Sequence, residues 1–478
     1  MLDQPAVGAP ASVPAEQRVG PGQWLLAWYG LVVLVAATVL AAADRQILVL
    51  LADPIRQSLG LSDTKLGLLQ GAGIALFSGA AAVPLGWLAD RYGRRAVLAS
   101  CVLIWTGATA ACGLAWSFPS LFVAAIGLGI GEAGLAPIVY GLIPQMVPEK
   151  RRVLANGIYA VAAIFGAGIG IGLSGTLIET LHGARDSLPI TMRAMESWRL
   201  SFFAVALPGP IVALLILLIR VRKSSNGAAG AHQVVPLRLG DYLRAHGRTV
   251  VGIFGATGLG GLGIAALAAW APVIASRNFG GTPQQVGQGI GAAYLIGTVV
   301  GALIGGYGVR RLRPRLGVAT PVRVLVIGFG LSALASAALL GATSAMHVYV
   351  LFGLQVVFLI AGSVVAPTLL QDMTPPSLRS RVIALGSVAS LLLSALSPVL
   401  VGLLSDALQT EPRGLLISVA VVAAASLGLG SFLTFRVEHR FIGTVVALAE
   451  PAEAPVHPSS ASSTGAEPQT SHHGDKHV

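Results

Sequence analysis

Long apolar runs, separated by short polar or basic segments, make up most of the chain between residues 23 and 436. A helix needs about 20 apolar residues to cross the ~30 Å hydrocarbon core of a bilayer. The pattern therefore predicts an all-α membrane protein with twelve transmembrane helices. These spans are predicted to begin near Trp24, Thr64, Ala96, Pro119, Val153, Ser201, Val250, Gln284, Val322, His347, Val382 and Leu415.

The predicted spans form two groups of six, which indicates two pseudo-symmetric six-helix bundles over residues 23–219 and 249–436. A basic segment, residues 220–248, is predicted to be a cytoplasmic linker. Ser62 and Thr282 are predicted helix caps at corresponding places in the two halves, before spans 2 and 8. The tails, residues 1–22 and 437–478, are predicted to be disordered. Two six-span repeats are typical of secondary transporters.

The amino-acid composition excludes a soluble globular protein. Hydrophobic residues make up 54% of the chain and charged residues 11%, whereas a soluble domain carries about 25% charged residues. The two cysteines, Cys101 and Cys112, lie in one apolar stretch, so no disulfide framework is expected. Glycine runs such as Gly166–Gly170 and Gly301–Gly305 are read as sites of close helix packing, with hinges as the alternative.

The net charge of +11 would suit a nucleic-acid binder if the basic residues lay on a soluble surface. Most of the 31 lysines and arginines instead lie in the tails, the linker and the loops on one predicted side, including Arg91–Arg95, Lys150–Arg152 and Arg310–Arg323. The positive-inside rule then predicts a multi-pass protein of the cell (inner) membrane with both termini cytoplasmic. No nucleic-acid partner is needed to explain the charge.

Several short segments resemble one transporter family. The stretch from Gly86 to Arg95, Gly-Trp-Leu-Ala-Asp-Arg-Tyr-Gly-Arg-Arg, resembles the loop between spans 2 and 3 of the major facilitator superfamily. Further segments resemble the spinster branch of that superfamily. They are Asp44-Arg45, Asp53-Pro-Ile55, Leu61–Leu69, Gly129–Gly134 and Arg151–Tyr159.

The resemblance implies a transporter of lipid-like molecules such as lysophospholipids or sphingosine phosphate, coupled to protons in bacterial relatives. One position departs from the family pattern. The family commonly has an arginine seven residues before the span 4 glutamate, and this chain has Ala125 there. A coupling step that needs that guanidinium is not expected to operate in the same way here.

Glu132 lies in the middle of predicted span 4. An ionised carboxylate at the bilayer centre costs ~2.5–3.5 kcal/mol on insertion scales unless water or a partner reaches it. Such a group can carry a proton between a closed and a hydrated cavity, so we expect Glu132 to belong to a proton relay. The alternative is a structural glutamate that is hydrogen-bonded to a neighbouring helix.

Asp44 and Arg45 interrupt the apolar run of span 1. Adjacent helical residues point about 100° apart, so the two side chains are expected to find different partners. We expect Asp44 to share the proton relay with Glu132. Arg45 is expected either to bind an anionic headgroup or to keep Asp44 ionised. Alternatively, Arg45 extends to the membrane surface and Asp44 is structural.

The loop that follows span 2 is predicted to be a gate. Asp90 and Arg94 are spaced for an ion pair at a helix end. Asp90 could also dock against the positive N-terminus of span 11 when the inner side is shut, although the loop could instead only set the topology. The predicted gating residues are Gly86, Asp90, Arg91, Gly93, Arg94 and Arg95.

Polar residues within the spans either line a central cavity or are satisfied in the helix core. The residues in question are Gln70, Asn156, Tyr159, Tyr294 and Gln355. The histidines of the C-terminal tail, His472, His473 and His477, are read as part of a disordered segment, and no metal site is predicted.

Enzymatic signatures are missing. Each Gly-x-Gly-x-x-Gly pattern lies within an apolar span, no lysine follows a glycine as in a Walker A loop, and neither Gly-x-Ser-x-Gly nor His-Glu-x-x-His occurs. We therefore predict a non-enzyme without cofactors, a monomer that transports an amphipathic substrate with protons. The alternatives are a proton-coupled drug or sugar exporter and, in a different class, a membrane receptor or scaffold without turnover.

Overall fold

The computed structural model describes residues 21–221, 239–375 and 378–449, and every regular element in these ranges is a helix. Eleven helical stretches are long and apolar enough to cross a membrane. One of them, with 59 residues, contains two spans, because the chain reverses at Gly317 with a φ of +51°. The described residues therefore form the twelve spans that the apolar pattern predicts.

In the first half, spans 2, 4 and 6 each consist of two consecutive helices. The six spans are span 1 (Pro21–Leu50), span 2 (Asp63–Gln70 and Ala72–Tyr92), span 3 (Arg94–Gly113), span 4 (Phe118–Ala133 and Leu135–Met146), span 5 (Glu149–Gly183) and span 6 (Ser197–Ala206 and Gly209–Leu217). Short helices in the connections are Ala52–Leu59, Arg185–Ser187 and Ile190–Arg193.

In the second half, only span 10 is divided. The six spans are span 7 (Leu239–Arg277), span 8 (Pro283–Leu316), span 9 (Thr320–Ala337), span 10 (Ala345–Ser363 and Ala366–Asp372), span 11 (Arg379–Ala407) and span 12 (Gly414–Ala449). Single 3-10 turns follow spans 8 and 9, at Gly317–Ala319 and Ala338–Gly341.

The predicted helix caps are confirmed. The Ser62 side chain accepts a hydrogen bond from the backbone N–H of Lys65, at 3.3 Å. The Thr282 hydroxyl accepts from the N–H of Gln285, and the Gln285 side chain accepts in return from the N–H of Thr282. These bonds satisfy amide groups that have no partner within the helix, so they define where spans 2 and 8 begin.

Two predicted boundaries are wrong. Span 7 begins at Leu239, inside the predicted linker, because Tyr242 is buried and donates its hydroxyl to the Met373 carbonyl at 2.5 Å. Span 12 continues to Ala449, inside the predicted disordered tail, because Phe441 is buried in the core of the second half. The remaining parts of the predicted tails and linker, residues 1–20, 222–238 and 450–478, lie outside the described residues.

The two ends of the bundle differ. We call the end that contains Arg94, Arg152 and Arg313 the basic end. At the opposite end, here called the closed end, spans 2 and 11 pack together, as do spans 5 and 8. Gly67 is so close to Pro398 that a Cβ atom could not be placed there. A cluster of buried apolar residues from both halves lies at this closed end.

The glycine runs confirm the packing interpretation. Gly170 of span 5 lies against the backbone of span 1 at Ala42, and Gly168 lies against span 8. Gly301 and Gly305 of span 8 lie against the backbone of span 10. At each of these positions a side chain would collide with a neighbouring helix, so glycine is required for the helices to approach.

Candidate functional site

Span 4 is interrupted at Gly134, two residues after Glu132. Its first helix ends at Ala133 and its second begins at Leu135, whereas the apolar pattern predicts one continuous helix. Pro137 explains the interruption, because it has no N–H to donate to the Ala133 carbonyl and its ring collides with that carbonyl. Glu132 therefore lies at a helix end within the span.

Glu132 forms an ion pair with Arg45. The Arg45 Nε donates to Glu132 Oε2 at 3.0 Å, and the Arg45 Nη2 pairs with the same oxygen. This pair joins span 1 to span 4. A paired carboxylate in a membrane is far less costly than an isolated one. From the sequence, Arg45 is expected to bind an anionic headgroup or to keep Asp44 ionised, and its pairing with Glu132 becomes evident only in the structure.

The two partners differ in exposure. The Arg45 side chain is 64% exposed, whereas the Glu132 side chain is 3% exposed. Arg45 is nevertheless surrounded by protein, so its exposed surface faces a space inside the bundle. Because the halves touch at the closed end, this space opens toward the basic end. Within this space Arg45 is the accessible member of the pair and Glu132 is the buried one.

Asp44 points away from this space. It is fully buried, beside the side chains of Thr109 and Trp105 in span 3, and within electrostatic range of Glu132. Among the residues that the structure describes, neither Asp44 oxygen has a hydrogen-bond partner. Asp44 and its neighbour Arg45 therefore do not share a partner: Arg45 pairs with Glu132, whereas Asp44 faces span 3. Two buried carboxyl groups and one guanidinium thus form the polar centre of the first half.

Ala125, which stands in place of the family arginine, is fully buried in the apolar core. It lies on span 4 two helical turns before Glu132. The guanidinium that Glu132 binds in this chain comes from span 1 instead.

Two of the five predicted cavity residues are core groups. Gln355 is buried and donates hydrogen bonds to the Gly263 carbonyl at 3.3 Å and to the Ser336 hydroxyl at 2.9 Å. Tyr159 is also buried, with its ring edge-on to Tyr140 at a centroid distance of 5.2 Å. These polar groups tie helices of one half together, so for these two residues the structure agrees with the predicted alternative, a place in the helix core.

The other three predicted cavity residues are partly exposed. They are Gln70, Asn156 and Tyr294. Within the described ranges, the side-chain amide of Gln70 and the side-chain oxygen of Asn156 have no hydrogen-bond partner. These atoms are themselves buried, and a buried polar atom without a protein partner is usually satisfied by water or a ligand, so the residues remain candidates.

The loop after span 2 has the predicted ion pair. Asp90 Oδ1 accepts from the Arg94 Nη2 at 2.7 Å, and Arg94 also donates to the Gly141 carbonyl of span 4 at 2.6 Å. Gly93 has a φ of +96°, a conformation that residues with a Cβ rarely adopt. Glycine at this position therefore allows the tight turn that places Arg94 against span 4.

The neighbouring residues of the loop hold the basic end of the first half together. Arg95 donates to the Ile219 carbonyl at the end of span 6, at 2.5 Å. The Arg91 guanidinium lies over the Trp87 ring, 5.3 Å from its centroid. Gly86 has open space on its Cβ side. The loop thus links spans 2, 4 and 6.

The predicted docking of Asp90 on span 11 is not formed in this conformation. The Asp90 side chain is 67% exposed and pairs with Arg94. Across the described part of the chain, the hydrogen bonds and ion pairs that join the two halves lie at the closed end. This distribution is the one expected when the halves are apart at the basic end.

A charged cluster at the closed end is the feature that the sequence analysis missed. Arg277, at the end of span 7, donates to both oxygens of Asp63 at 2.8 and 3.0 Å. The same guanidinium donates to Asp53 Oδ1 at 2.8 Å. Asp53 and Asp63 belong to the first half and Arg277 to the second. A bidentate arginine–carboxylate contact therefore bridges the halves.

Asp406, at the end of span 11, caps the N-terminus of span 2. Its two carboxylate oxygens accept from the backbone N–H groups of Asp63 and Thr64, both at 2.9 Å, and from the Thr64 hydroxyl. Ser405 donates to Asp63 Oδ2 at 2.7 Å. A carboxylate at a helix N-terminus satisfies unpaired amides and interacts favourably with the helix dipole. The contact exists only while spans 2 and 11 touch here.

A sequence signal for this cluster existed but was ambiguous. Asp53 and Asp63 lie in segments quoted for the spinster resemblance, and Arg277 and Asp406 end predicted spans on the same side. No spacing rule pairs residues that are more than 200 positions apart, so the partners became evident only from the packing.

A comparison with known protein families agrees with the fold and with the loop after span 2. The sequence model of the Major Facilitator Superfamily matches residues 34–322 and 253–457. The chain belongs to the major facilitator superfamily, and it is a multi-pass membrane transporter of that type.

Individual relatives share modest identity. An MFS-type efflux pump of Mycolicibacterium smegmatis is 27% identical over 418 residues, which cover 85% of this chain and 91% of the relative. Protein spinster homolog 3 of Mus musculus is 27% identical over 380 residues, which cover 73% of this chain and 70% of the relative. The chain is therefore similar to spinster proteins, as the sequence motifs indicate.

Solved structures share the fold. A bacterial homologue of the human lysosomal transporter Spinster, in an inward-facing and unoccupied conformation, has a TM-score of 0.71 at 22% identity. The match covers 88% of this chain and 97% of the other. A D-xylose–proton symporter has a TM-score of 0.65 at 14% identity, and the match covers 86% and 97%.

Replacement of Asp406 by alanine should favour separation of the halves at the closed end. The variant loses an acceptor at the start of span 2, which costs about 1 kcal/mol for a typical N-cap, or roughly a fivefold change in the conformational ratio. Spin labels on cysteines introduced at Gln57 and Thr410 would report the distance across this end. Glu411→Ala, an exposed acid nearby, is the matched control, and equal distance distributions in both variants would contradict the prediction.

Asp90→Asn should act in the opposite direction. If Asp90 docks on span 11 when the basic end closes, loss of its charge favours the conformation that is open at that end. Labels at Val153 and Val318 would then show longer distances than in the unmodified protein. Asp241→Asn, which removes another exposed acid with an arginine neighbour at the same end, should change nothing. Identical distances in the two variants would indicate that the loop sets the membrane topology and does not act as a gate.

Proposed function

We propose that this protein is a proton-coupled secondary transporter of an amphipathic, lipid-like substrate with an anionic headgroup, such as a lysophospholipid. The two six-helix halves would expose the central space alternately to the two sides of the membrane. The observation that carries the proposal is the ion pair between an exposed Arg45 and a buried Glu132. It brings an anion-binding group and a proton-binding group into direct contact.

Coupling follows from competition for Arg45. An anionic headgroup that binds the guanidinium displaces the Glu132 carboxylate, which then stands unpaired in an apolar site. Uptake of a proton removes that charge and its desolvation cost. Conversely, loss of the proton restores the pair with Arg45 and expels the headgroup. Substrate and proton would therefore bind together.

Asp44 would be the second proton site of the relay. It has no hydrogen-bond partner in the described chain and lies within electrostatic range of Glu132. Two like charges so close together in an apolar site repel each other. A proton that leaves one carboxyl group would therefore be favoured on the other. The alternative, a purely structural Asp44, predicts that its charge state has no effect on transport.

The contacts at the closed end would form one gate and the loop after span 2 the other. Asp406 at the end of span 11 caps span 2, and Asp90 near the end of span 2 would cap span 11 in the opposite conformation. Each gate is a carboxylate at the N-terminus of the partner helix, so the two conformations would be held by equivalent contacts of similar strength.

Exposed apolar side chains on spans 2 and 11 support an amphipathic substrate. Span 2 exposes Phe77, Val83 and Trp87, and span 11 exposes Val388 and Leu392. The two helices touch at the closed end, and the basic ends of both carry these exposed side chains. An acyl chain could lie along such surfaces while its headgroup reaches Arg45. The similarity to spinster proteins supports the same class of substrate.

A drug exporter of the same superfamily is the second candidate. The relative from Mycolicibacterium smegmatis is an efflux pump, and a puromycin resistance protein of Streptomyces alboniger is 31% identical over 172 residues. A cationic drug would be repelled by Arg45, so this alternative predicts a substrate that does not bind there.

The basic end would face the cytoplasm of a cell membrane, because it carries Arg94, Arg95, Arg152 and the arginines after span 8. Span 1 begins at Pro21 and span 12 ends at Ala449 on this side, so both termini would be cytoplasmic. A proton that enters across a 100 mV potential supplies about 2.3 kcal/mol, which is enough for a roughly fiftyfold accumulation of the substrate.

The functional unit would be a monomer, because each chain has both halves.

Glu132→Gln should abolish transport that is driven by a pH gradient. Glutamine keeps the size and a hydrogen-bond acceptor for Arg45 but cannot release a proton at neutral pH. We expect less than a tenth of the flux of labelled lysophosphatidylglycerol into proteoliposomes, with unchanged insertion and elution profile. Glu179→Gln, a glutamate of span 5 at the closed end, is the matched control. Unchanged flux in the Glu132 variant would remove that residue from the relay.

The same proteoliposomes separate the competing functions. Uptake of puromycin but not of the lysolipid would support the drug exporter, and uptake of a hexose would support a sugar transporter. Binding of the lysolipid without flux under any gradient would indicate a receptor or scaffold.

A further inference from the structure

A groove of about 880 Å³ lies between spans 7 and 12 at the basic end. Arg248 of span 7 and Arg436 and Arg440 of span 12 line it. All three side chains are exposed. The groove is far from the ion pair at Arg45, which lies in the other half, so it is a separate feature of the molecule.

The three arginines of the groove have no acidic partner among the described residues. The acids nearest in sequence are paired elsewhere: Glu438 accepts from Arg323 of span 9 at 2.9 Å, and Asp241 lies 3.6 Å from Arg244. Three unpaired guanidinium groups that share one groove repel each other. An anion that bound among them would relieve this repulsion.

The other wall of the groove is apolar. Val251, Phe432 and Phe435 line it, and each is at least 60% exposed. Beneath them, Gly252 and Gly255 allow Val437 and Leu433 to pack closely. The groove is thus closed at its base and open along the outer surface of spans 7 and 12.

The position of the arginines along the helix matches a membrane surface. Arg436 is separated from the start of span 12 at Gly414 by about 33 Å of helix, at ~1.5 Å per residue. The hydrocarbon core is ~30 Å thick. The guanidinium groups therefore lie at the level of lipid headgroups, and Phe432 lies one helical turn deeper, among the acyl chains.

We propose that this groove binds an anionic phospholipid of the surrounding bilayer. The phosphate binds Arg248, Arg436 and Arg440, and one acyl chain lies along Val251, Phe432 and Phe435. Basic pockets between transmembrane helices bind anionic headgroups in this way. A soluble phosphate ion would leave the apolar wall uncovered, and a zwitterionic lipid would bring a fourth cation to a site that already holds three.

The proposal does not depend on what the protein transports. The lipid would stay at the surface of the second half and hold spans 7 and 12 together at the basic end. Loss of transport in a Glu132 variant would leave the groove occupied, so the two proposals fail independently.

The test uses the full-length protein in detergent and native mass spectrometry with phosphatidylglycerol. The site variant carries Arg248→Gln, Arg436→Gln and Arg440→Gln. The matched control carries Arg311→Gln, Arg315→Gln and Arg381→Gln, three exposed arginines at the same end. We expect the apparent affinity for phosphatidylglycerol to fall about tenfold or more in the site variant and to stay within about twofold of the unmodified protein in the control.

Two further binding measurements identify the ligand. Phosphatidylcholine should bind equally weakly to all three proteins, and millimolar inorganic phosphate should not displace phosphatidylglycerol. Equal loss of phosphatidylglycerol in the site and control variants would overturn the proposal, as would equal binding of the two lipids or displacement by phosphate. If the triple variant fails to fold, the single variant Arg436→Gln is compared with Arg381→Gln in the same way.

Discussion

The structure depends on one electrostatic constraint: a carboxylate within the hydrocarbon region needs a partner or a proton. Glu132 meets this requirement through Arg45, which comes from a different helix and faces the space between the halves. This one ion pair thus links span 1 to span 4 and leaves the Arg45 guanidinium accessible to a molecule that enters the space. Transport, as we propose it, uses the instability of this pair once a competing anion arrives.

The same physical rule governs the ends of the molecule. At the closed end, Arg277 bridges the halves through Asp53 and Asp63, and Asp406 caps the first helix of span 2. Arg277 and Asp406 have these partners only while the halves touch. At the basic end Asp90, Arg94 and Arg95 bond within their own half instead. The conformation therefore pairs its charges across the halves at one end and leaves the other end free to admit a substrate.

Small residues make the interface between the halves possible. Gly67, Gly168 and Gly175 allow spans 2 and 5 to contact the backbones of spans 11 and 8. Helices in lipid gain little from burying apolar surface, so close packing and hydrogen bonds must stabilise them. Contacts of this kind are short-ranged and easily exchanged. An interface built from them can open without exposing a large apolar core to water.

The sequence by itself determined the twelve spans, the division into halves, the helix caps and the presence of Asp44, Arg45 and Glu132 as charges within the spans, because apolar length and intramembrane charge are local properties of the chain. The partner of Arg45, the break at Pro137, the burial of Gln355 and the cluster around Arg277 were decided only by the tertiary structure. Each of them depends on which helices, distant in the sequence, lie side by side. The spacing of residues along the chain does not encode which helices become neighbours.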